Sequence, residues 1–237
     1  MNLLTLNDLI THKVHIGHYW SYWDSRCTKF IYKIINNIWI IDLIHTSKAL
    51  WKAYIFMYKS SLYNQKILFI GSSRYSKNII KKTALLTNQF YITDTIKPGL
   101  FTNWEVIRGN ILLLIWLKQV LFLIQHSYVF GTINHTFKDT LFKLYTKLHY
   151  KLKNIITFQT IPQILFISDL NTHTLLVKES ITLNKILLSI IDTNWNPTDI
   201  HIAIPGNDDN LFSVKLICQI ITTALIHGLL KRQQYQF

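Results

Sequence analysis

The chain has 237 residues, long enough to bury one sizeable core. Its 25 Lys and Arg against 12 Asp and Glu give a formal net charge of +13 and a pI of about 9.7, which suits a polyanionic partner. The two cysteines, Cys27 and Cys218, stand far apart without CxxC spacing, which excludes a disulfide framework and a zinc ribbon and fits a reducing compartment.

Taken in chain order, the N-terminal "MNLLTLNDLITHKV" has neither a basic region leading into a long apolar one nor the Arg- and Ser-rich character of a transit peptide. It is expected to act where it is made, or its presequence has already gone. "KILFIG" (66–71) reads as a buried strand, and the following stretch places Ile79, Ile80, Ala84 and Leu85 at helical spacing. "QFYIT" (89–93) reads as the next strand. Residues 102–154 break this rhythm and predict two long helices with a joint at Gly131–Thr136. In the second helix Leu141, Leu144, Tyr145, Leu148 and Leu152 form a stripe beside a ladder of Lys143, Lys147 and Lys151. Strands then follow at 163–169, 185–192 and 200–205, with a short helical segment at 171–184 and a long C-terminal helix.

Continuous apolar strands, each trailed by a helix, predict a three-layer α/β domain around a parallel sheet. That domain takes residues 1–101 and 155–237, and 102–154 is an inserted helical hairpin. The first hairpin helix is strongly apolar, and the mean hydropathy of the chain is +0.19. Lys118 and Gln119 interrupt its dense part, Ile111–Ile124, so no membrane span is expected. A buried or partner-covered helix is the expectation.

The turn "GSSRYSKN" follows a strand but lacks GxGxxG and GxxxxGK[ST]. No GxSxG, Cys–His set or Glu pair marks a nucleophile or an acid–base couple. The chain is therefore not expected to be an enzyme. A nucleotide-using α/β enzyme built on this turn and a membrane-associated protein through residues 111–124 are the alternatives. Four of the 12 acidic residues lie in "IIDTNWNPTDIHIAIPGNDDN" (190–210). Asn207 is read as the cap of the C-terminal helix, with Asp208 and Asp209 at its positive end. Asp192 ends the neighbouring strand, where its carboxylate approaches Asp208. Two carboxylates there need a cation, a His or a donor between them. His15 or His18 could complete such a site, and a structural divalent ion on His15, Asp192 and Asp208 is the expected form. No other cofactor is expected.

Several blocks carry a resemblance. "VHIGHYWSYWDSRCTKFIYKIINNIWIIDLIHTSKAL", "ILFIGSSRYSKNIIKKTA", "GLFTNWEVIRGNI", "IPQILFISD", "IIDTNWNP" and "IPGNDDNLFSVKLI" resemble, in order, the blocks of the bacterial-type small-subunit ribosomal protein two (S-two) family. The resemblance covers nearly the whole chain. It implies a flavodoxin-like α/β domain with a helical hairpin arm, a place in the small ribosomal subunit, and contacts to ribosomal RNA and neighbouring ribosomal proteins. The residues it suggests for RNA are His18, Trp20, Arg26, Lys29, Lys33, Arg74, Lys77, Lys97, Asn103 and Arg108.

Three departures from the family pattern matter. Aromatic residues replace Arg and Lys in "YWSYWDSRC", where they can stack on bases or pack on protein. "DTIKPG" keeps only Lys97 of an expected RNA contact. The usually charged arm is here "NILLLIWLKQVLFLI", so an additional, organelle-specific protein, or a reorganised arm, is expected to cover Leu112–Leu123. A composition rich in Ile, Lys, Asn, Phe and Tyr points to an AT-rich, organellar coding genome. The mitochondrion is the first expectation and a reduced plastid the second.

Overall fold

The computed structural model describes residues 4–95, 98–126, 134–156, 158 and 160–235. They form two compact units, residues 1–98 with 162–237 and residues 99–161.

In the larger unit, helix α1 (Leu6–Thr11) leads into strands β1 (Ile16–Tyr19), β2 (Ile31–Ile35) and β3 (Ile38–Ile41). These make a three-stranded antiparallel sheet in the order β1-β3-β2. Asn36 and Asn37 turn the β2–β3 hairpin with φ of 49° and 62°. Two consecutive left-handed residues match the twist of a two-residue hairpin, and Asn tolerates them better than most residues.

Helix α2 (Leu43–Leu62) follows, then β4 (Ile67–Ile70), α3 (Lys77–Leu86) and β5 (Phe90–Ile92). After the second unit come β6 (Ile164–Ile167), α6 (Thr174–Thr182), β7 (Ile186–Ile191), β8 (Ile202–Pro205) and α7 (Leu211–Tyr235). The five strands β4 to β8 are all parallel, in the order β5-β4-β6-β7-β8. Counted within this sheet the order is 2-1-3-4-5, the flavodoxin-like winding, so the expected fold class is the one found.

Strand alternation divides the sheet's side chains between two faces. Ile67, Phe69, Ile164, Phe166, Leu188, Ile190, Ile202 and Ile204 enter one core with α1, α2, α3 and α7. Leu68, Ile70, Leu165, Ile167 and Leu187 on the other face are also fully buried. Burial on both faces explains why these strands read as unbroken apolar runs. In α7 the fully buried Val214, Ile217, Ile221, Ala224 and Leu225 recur at helical spacing. A Cβ on Gly228 would come within 2.5 Å of the Tyr58 carbonyl oxygen, so glycine is what permits α7 to cross α2 closely.

With only seven glycines in the chain, asparagine ends three of the helices. Asn64, Asn88 and Asn184 follow α2, α3 and α6 with φ of 57°, 51° and 50°. Each lies in a Schellman motif. After α3, for example, Gln89 N–H donates to Ala84 O at 2.9 Å and Asn88 N–H to Leu85 O at 3.3 Å. The start of α2 is set by Asp42, whose Oδ1 accepts from Ile44 N–H at 2.8 Å. Thr46 lies inside α2, and its buried hydroxyl ties the helix to the Pro205 carbonyl at 2.8 Å.

The start of α7 corrects one expectation. Asn210 is the cap, with Oδ1 accepting from Phe212 N–H at 2.9 Å. Asn207 Oδ1 instead accepts from Asp209 N–H at 2.9 Å. Asp208 and Asp209 therefore belong to a turn before the helix, and its first turn holds no acidic residue.

The second unit consists of α4 (Trp104–His126) packed against α5 (His135–Leu152). Residues 131–133 of the expected joint lie outside the described residues. Ile111, Leu114 and Leu117 are buried, while Leu112, Ile115, Trp116, Phe122 and Leu123 on the rest of α4 are exposed. Among the described residues, α4 and α7 are long and apolar enough to cross a membrane. For α7 the core contacts just given account for that character.

Candidate nucleic-acid interface and carboxylate edge

The carboxyl ends of β6, β7 and β8 carry the chain's buried acids. Asp169 follows β6, Asp192 follows β7 and Asp208 follows β8, and among the described residues these are the buried acids. In this winding the gap between β4 and β6 is the topological switch point, where a nucleotide phosphate would sit. Here Asp169 occupies that place. Its Oδ2 accepts from Ser72 N–H at 3.2 Å, Ser73 N–H at 3.0 Å and the Thr172 hydroxyl at 2.7 Å. The Ser72 and Ser73 amides of the "GSSRYS" turn are thus already satisfied by a carboxylate. A Cβ on Gly71 would meet Ser168 Oγ at 2.4 Å, so the turn is also tightly filled.

Ser72, His173 and Asp169 lie together without triad geometry. The same His173 nitrogen, Nε2, faces Ser72 Oγ at 3.0 Å and Asp169 Oδ2 at 3.9 Å. A relay needs the Ser and the Asp on opposite ring nitrogens. Burial holds the His173 pKa below its ordinary value.

At the β7–β8 edge the N-terminal block closes over the sheet. His18 N–H donates to Thr193 Oγ1 at 3.1 Å, Asp24 N–H to Thr193 O at 2.9 Å, and Asn207 N–H to Val14 O at 3.1 Å. Gly17 is required for this approach, because a Cβ there would lie 2.7 Å from Thr193 Cγ2 and 2.9 Å from Trp39 O. The His18 ring then enters the acid cluster. Its Nδ1 lies 3.0 Å from Asp192 Oδ2, an ion pair off the N–H axis, and Nε2 lies 3.3 Å from Asp209 Oδ2. The Asp192 contact, opposed by burial and helped by the charges of Asp208 and Asp209, raises the His18 pKa to about 9.

An imidazolium also fixes the neighbouring amide. Asn194 Nδ2 stands 3.2 Å from Nε2 while its buried Oδ1 lacks a partner. Turning the amide over lets Oδ1 accept from Nε2–H, where two donors would otherwise face each other. Asp208 is the strained member of the cluster. Burial first, then the charges of Asp192 and Asp209, push its carboxyl well above the usual range, and its Oδ1 is buried without a hydrogen-bond partner.

His18, Asp208 and Asp209 each offer a ligand atom within 4.8 Å of the others. His15 does not join them. It lines a separate cleft with Ile10, Tyr32 and Ile40, so His18 is the histidine at the acid cluster. In an extended strand, residues three apart face opposite sides, and only one of the two can reach it.

The candidate RNA residues divide by their partners. Arg26 is held bidentate by Asp24, with Nε–Oδ1 at 2.9 Å and Nη2–Oδ2 at 2.7 Å, and Lys77 pairs with Asp94 at 2.8 Å. Lys29, Lys33 and Arg74 are exposed and lean over Phe30, Tyr32 and Tyr75. Trp20 is exposed, and its carbonyl accepts from Trp39 Nε1 at 3.4 Å. In the second unit Asn103 precedes α4 and Arg108 lies on it, both exposed. Lys97 lies outside the described residues. The aromatic surface is wider than the candidates suggested, because Tyr19, Tyr22 and Tyr32 are each at least 60 % exposed.

A sequence profile of the family described as Ribosomal protein S2 matches residues 9–228. The chain belongs to the ribosomal protein S2 family. The small ribosomal subunit protein uS2c of Toxoplasma gondii is 34 % identical over 231 residues, covering 96 % of this chain and 98 % of that protein. The uS2c of Emiliania huxleyi is 31 % identical and covers all of both chains. The uS2 of Treponema pallidum strain Nichols is 32 % identical, covering 97 % of this chain and 79 % of that protein. The profile spans the N-terminal block, the switch point and the β7–β8 edge together. Membership of a structural S2 family agrees with a switch point filled by Asp169 and a Ser–His–Asp group without relay geometry.

Proposed function

We propose that the chain is a structural constituent of the small subunit of a plastid ribosome, where it binds ribosomal RNA and neighbouring ribosomal proteins. Family membership along nearly the whole chain carries this reading, and the net charge of +13 supports it. Relatives from Toxoplasma gondii, Cyanophora paradoxa, Emiliania huxleyi and Guillardia theta bear the plastid-type name uS2c, which favours the plastid over the mitochondrion, the first expectation.

The exposed apolar residues of α4 support a further protein lying over Leu112–Leu123. Recovery of the tagged chain from cells, with RNA sequencing and a photocross-linker at Trp116, tests both parts. The expected result is plastid small-subunit RNA together with a protein cross-linked to α4. Mitochondrial ribosomal RNA, or a solvent-exposed α4 in the particle, contradicts the respective part.

The acid cluster supports a structural divalent ion on His18, Asp208 and Asp209, which would displace one proton of the His18 imidazolium on binding. An ion would satisfy the orphaned Asp208 oxygen and offset three neighbouring carboxylates. Zn²⁺ or Mn²⁺ is expected to raise the melting temperature of the purified chain, and Asp208→Asn to abolish the response. Equal shifts in both proteins sink the ion.

A further inference from the structure

We infer that the cleft between α1 and the small antiparallel sheet receives a single unpaired base of RNA. The inference rests on the ribosomal reading for its partner but on its own geometry for its site.

The cleft has a volume of about 270 Å³. Ile10, Ile40, Ile41 and Leu43 line it, with Tyr32, His15 and Asp42 as its polar members. Such a space takes a flat heterocycle, whereas a duplex cannot enter. Each wall supplies what an extruded base needs. Tyr32 is 67 % exposed, so its ring offers an open face for stacking. His15 lines the same cleft, and its buried Nδ1 has no hydrogen-bond partner, so a turn of the ring toward the cleft brings that nitrogen an edge contact with a base. Burial holds the His15 pKa below its ordinary value, which leaves a neutral ring. A neutral imidazole nitrogen donates or accepts according to tautomer, so it can meet either kind of base edge.

The surrounding charge selects a nucleic acid over a protein segment. Lys33 Nζ lies 5.4 Å from the centroid of the Tyr32 ring, and Lys29 lies 4.9 Å from that of Phe30. Lys33, beside the lining residue Tyr32, can meet a phosphate flanking a stacked base. The carboxylate of Asp42 is already engaged by Ile44 N–H and His45 Nδ1, at 2.8 and 2.9 Å. It therefore does not repel the backbone as an unpaired acid would. The β2–β3 hairpin places Lys33 opposite Ile40, so cation and cleft wall share one register.

Fluorescence anisotropy on the purified full chain tests the assignment, with two RNA probes of equal length. One is a hairpin with a four-nucleotide unpaired loop, and the other a blunt duplex. The loop probe is expected to bind about tenfold more tightly, as loss of one base–aromatic stack implies. Tyr32→Leu keeps the apolar wall and should remove that preference while leaving duplex affinity unchanged. Lys33→Ala should weaken both probes.

Equal binding of the two probes by the unaltered chain overturns the inference. So does a loop preference that survives Tyr32→Leu. A density map of the assembled particle with a protein side chain in the cleft overturns it as well. The anisotropy contrast is read on the isolated chain, so it fails or succeeds independently of whether the chain sediments with ribosomes.

Discussion

At the scale of single residues, the N-terminal block is held by contacts that its own sequence supplies. Asp24 caps the 3-10 turn at residues 25–30 through Arg26 N–H and clasps the Arg26 side chain. These hydrogen bonds lower the Asp24 pKa to about 2. A carboxylate depressed in the folded chain adds stability above its unfolded pKa, and that contribution is lost as pH falls through the folded value. The turn is therefore expected to loosen between about pH 4 and pH 2. Emission from Trp23, which packs against Trp39 at 4.8 Å, should report it, and Asp24→Asn should remove the transition. An unchanged acid transition in that variant would contradict the assignment. The histidine at the acid cluster was only half legible. "VHIGH" announces two histidines three apart, but which of them faces Asp192 depends on the register of β1 against β3, and sequence does not state it.

At the scale of elements, legibility followed burial. The strands β4, β6 and β7 are buried on both faces, so their Ile, Leu and Phe runs stand out between polar turns. The antiparallel sheet was missed because "IYKIINNIWII" shows no clean alternation, and Tyr32, Ile34 and Ile35 remain exposed. Its signal is Asn36-Asn37, which form a two-residue turn. The slip from Asn207 to Asn210 has a similar cause, since "NDDN" offers two asparagines three apart and either can cap. Asparagine at helix ends yields a direct prediction. Asn88→Gly should leave stability nearly unchanged, whereas Asn88→Val should cost about 1–2 kcal/mol, because a β-branched side chain resists φ of 51°. Urea unfolding of the two variants measures the difference, and equal midpoints would contradict it.

At the scale of the molecule, one winding order explains both what the chain presents and what it has closed. The 2-1-3-4-5 sheet creates a switch point, and Asp169 fills it from within. What stays open is elsewhere: an aromatic and basic N-terminal sheet, and an apolar face on α4. Sequence displayed both surfaces as departures from the family pattern, but it could not show that the cleft beside His15 is separate from the acid cluster. Service of this S2-family chain in an organellar small ribosomal subunit is tested by gradient sedimentation of organelle lysate with and without RNase. Co-migration with the small subunit, and a shift to light fractions after RNase, is the predicted result. A chain that stays in light or membrane fractions under both conditions would contradict it.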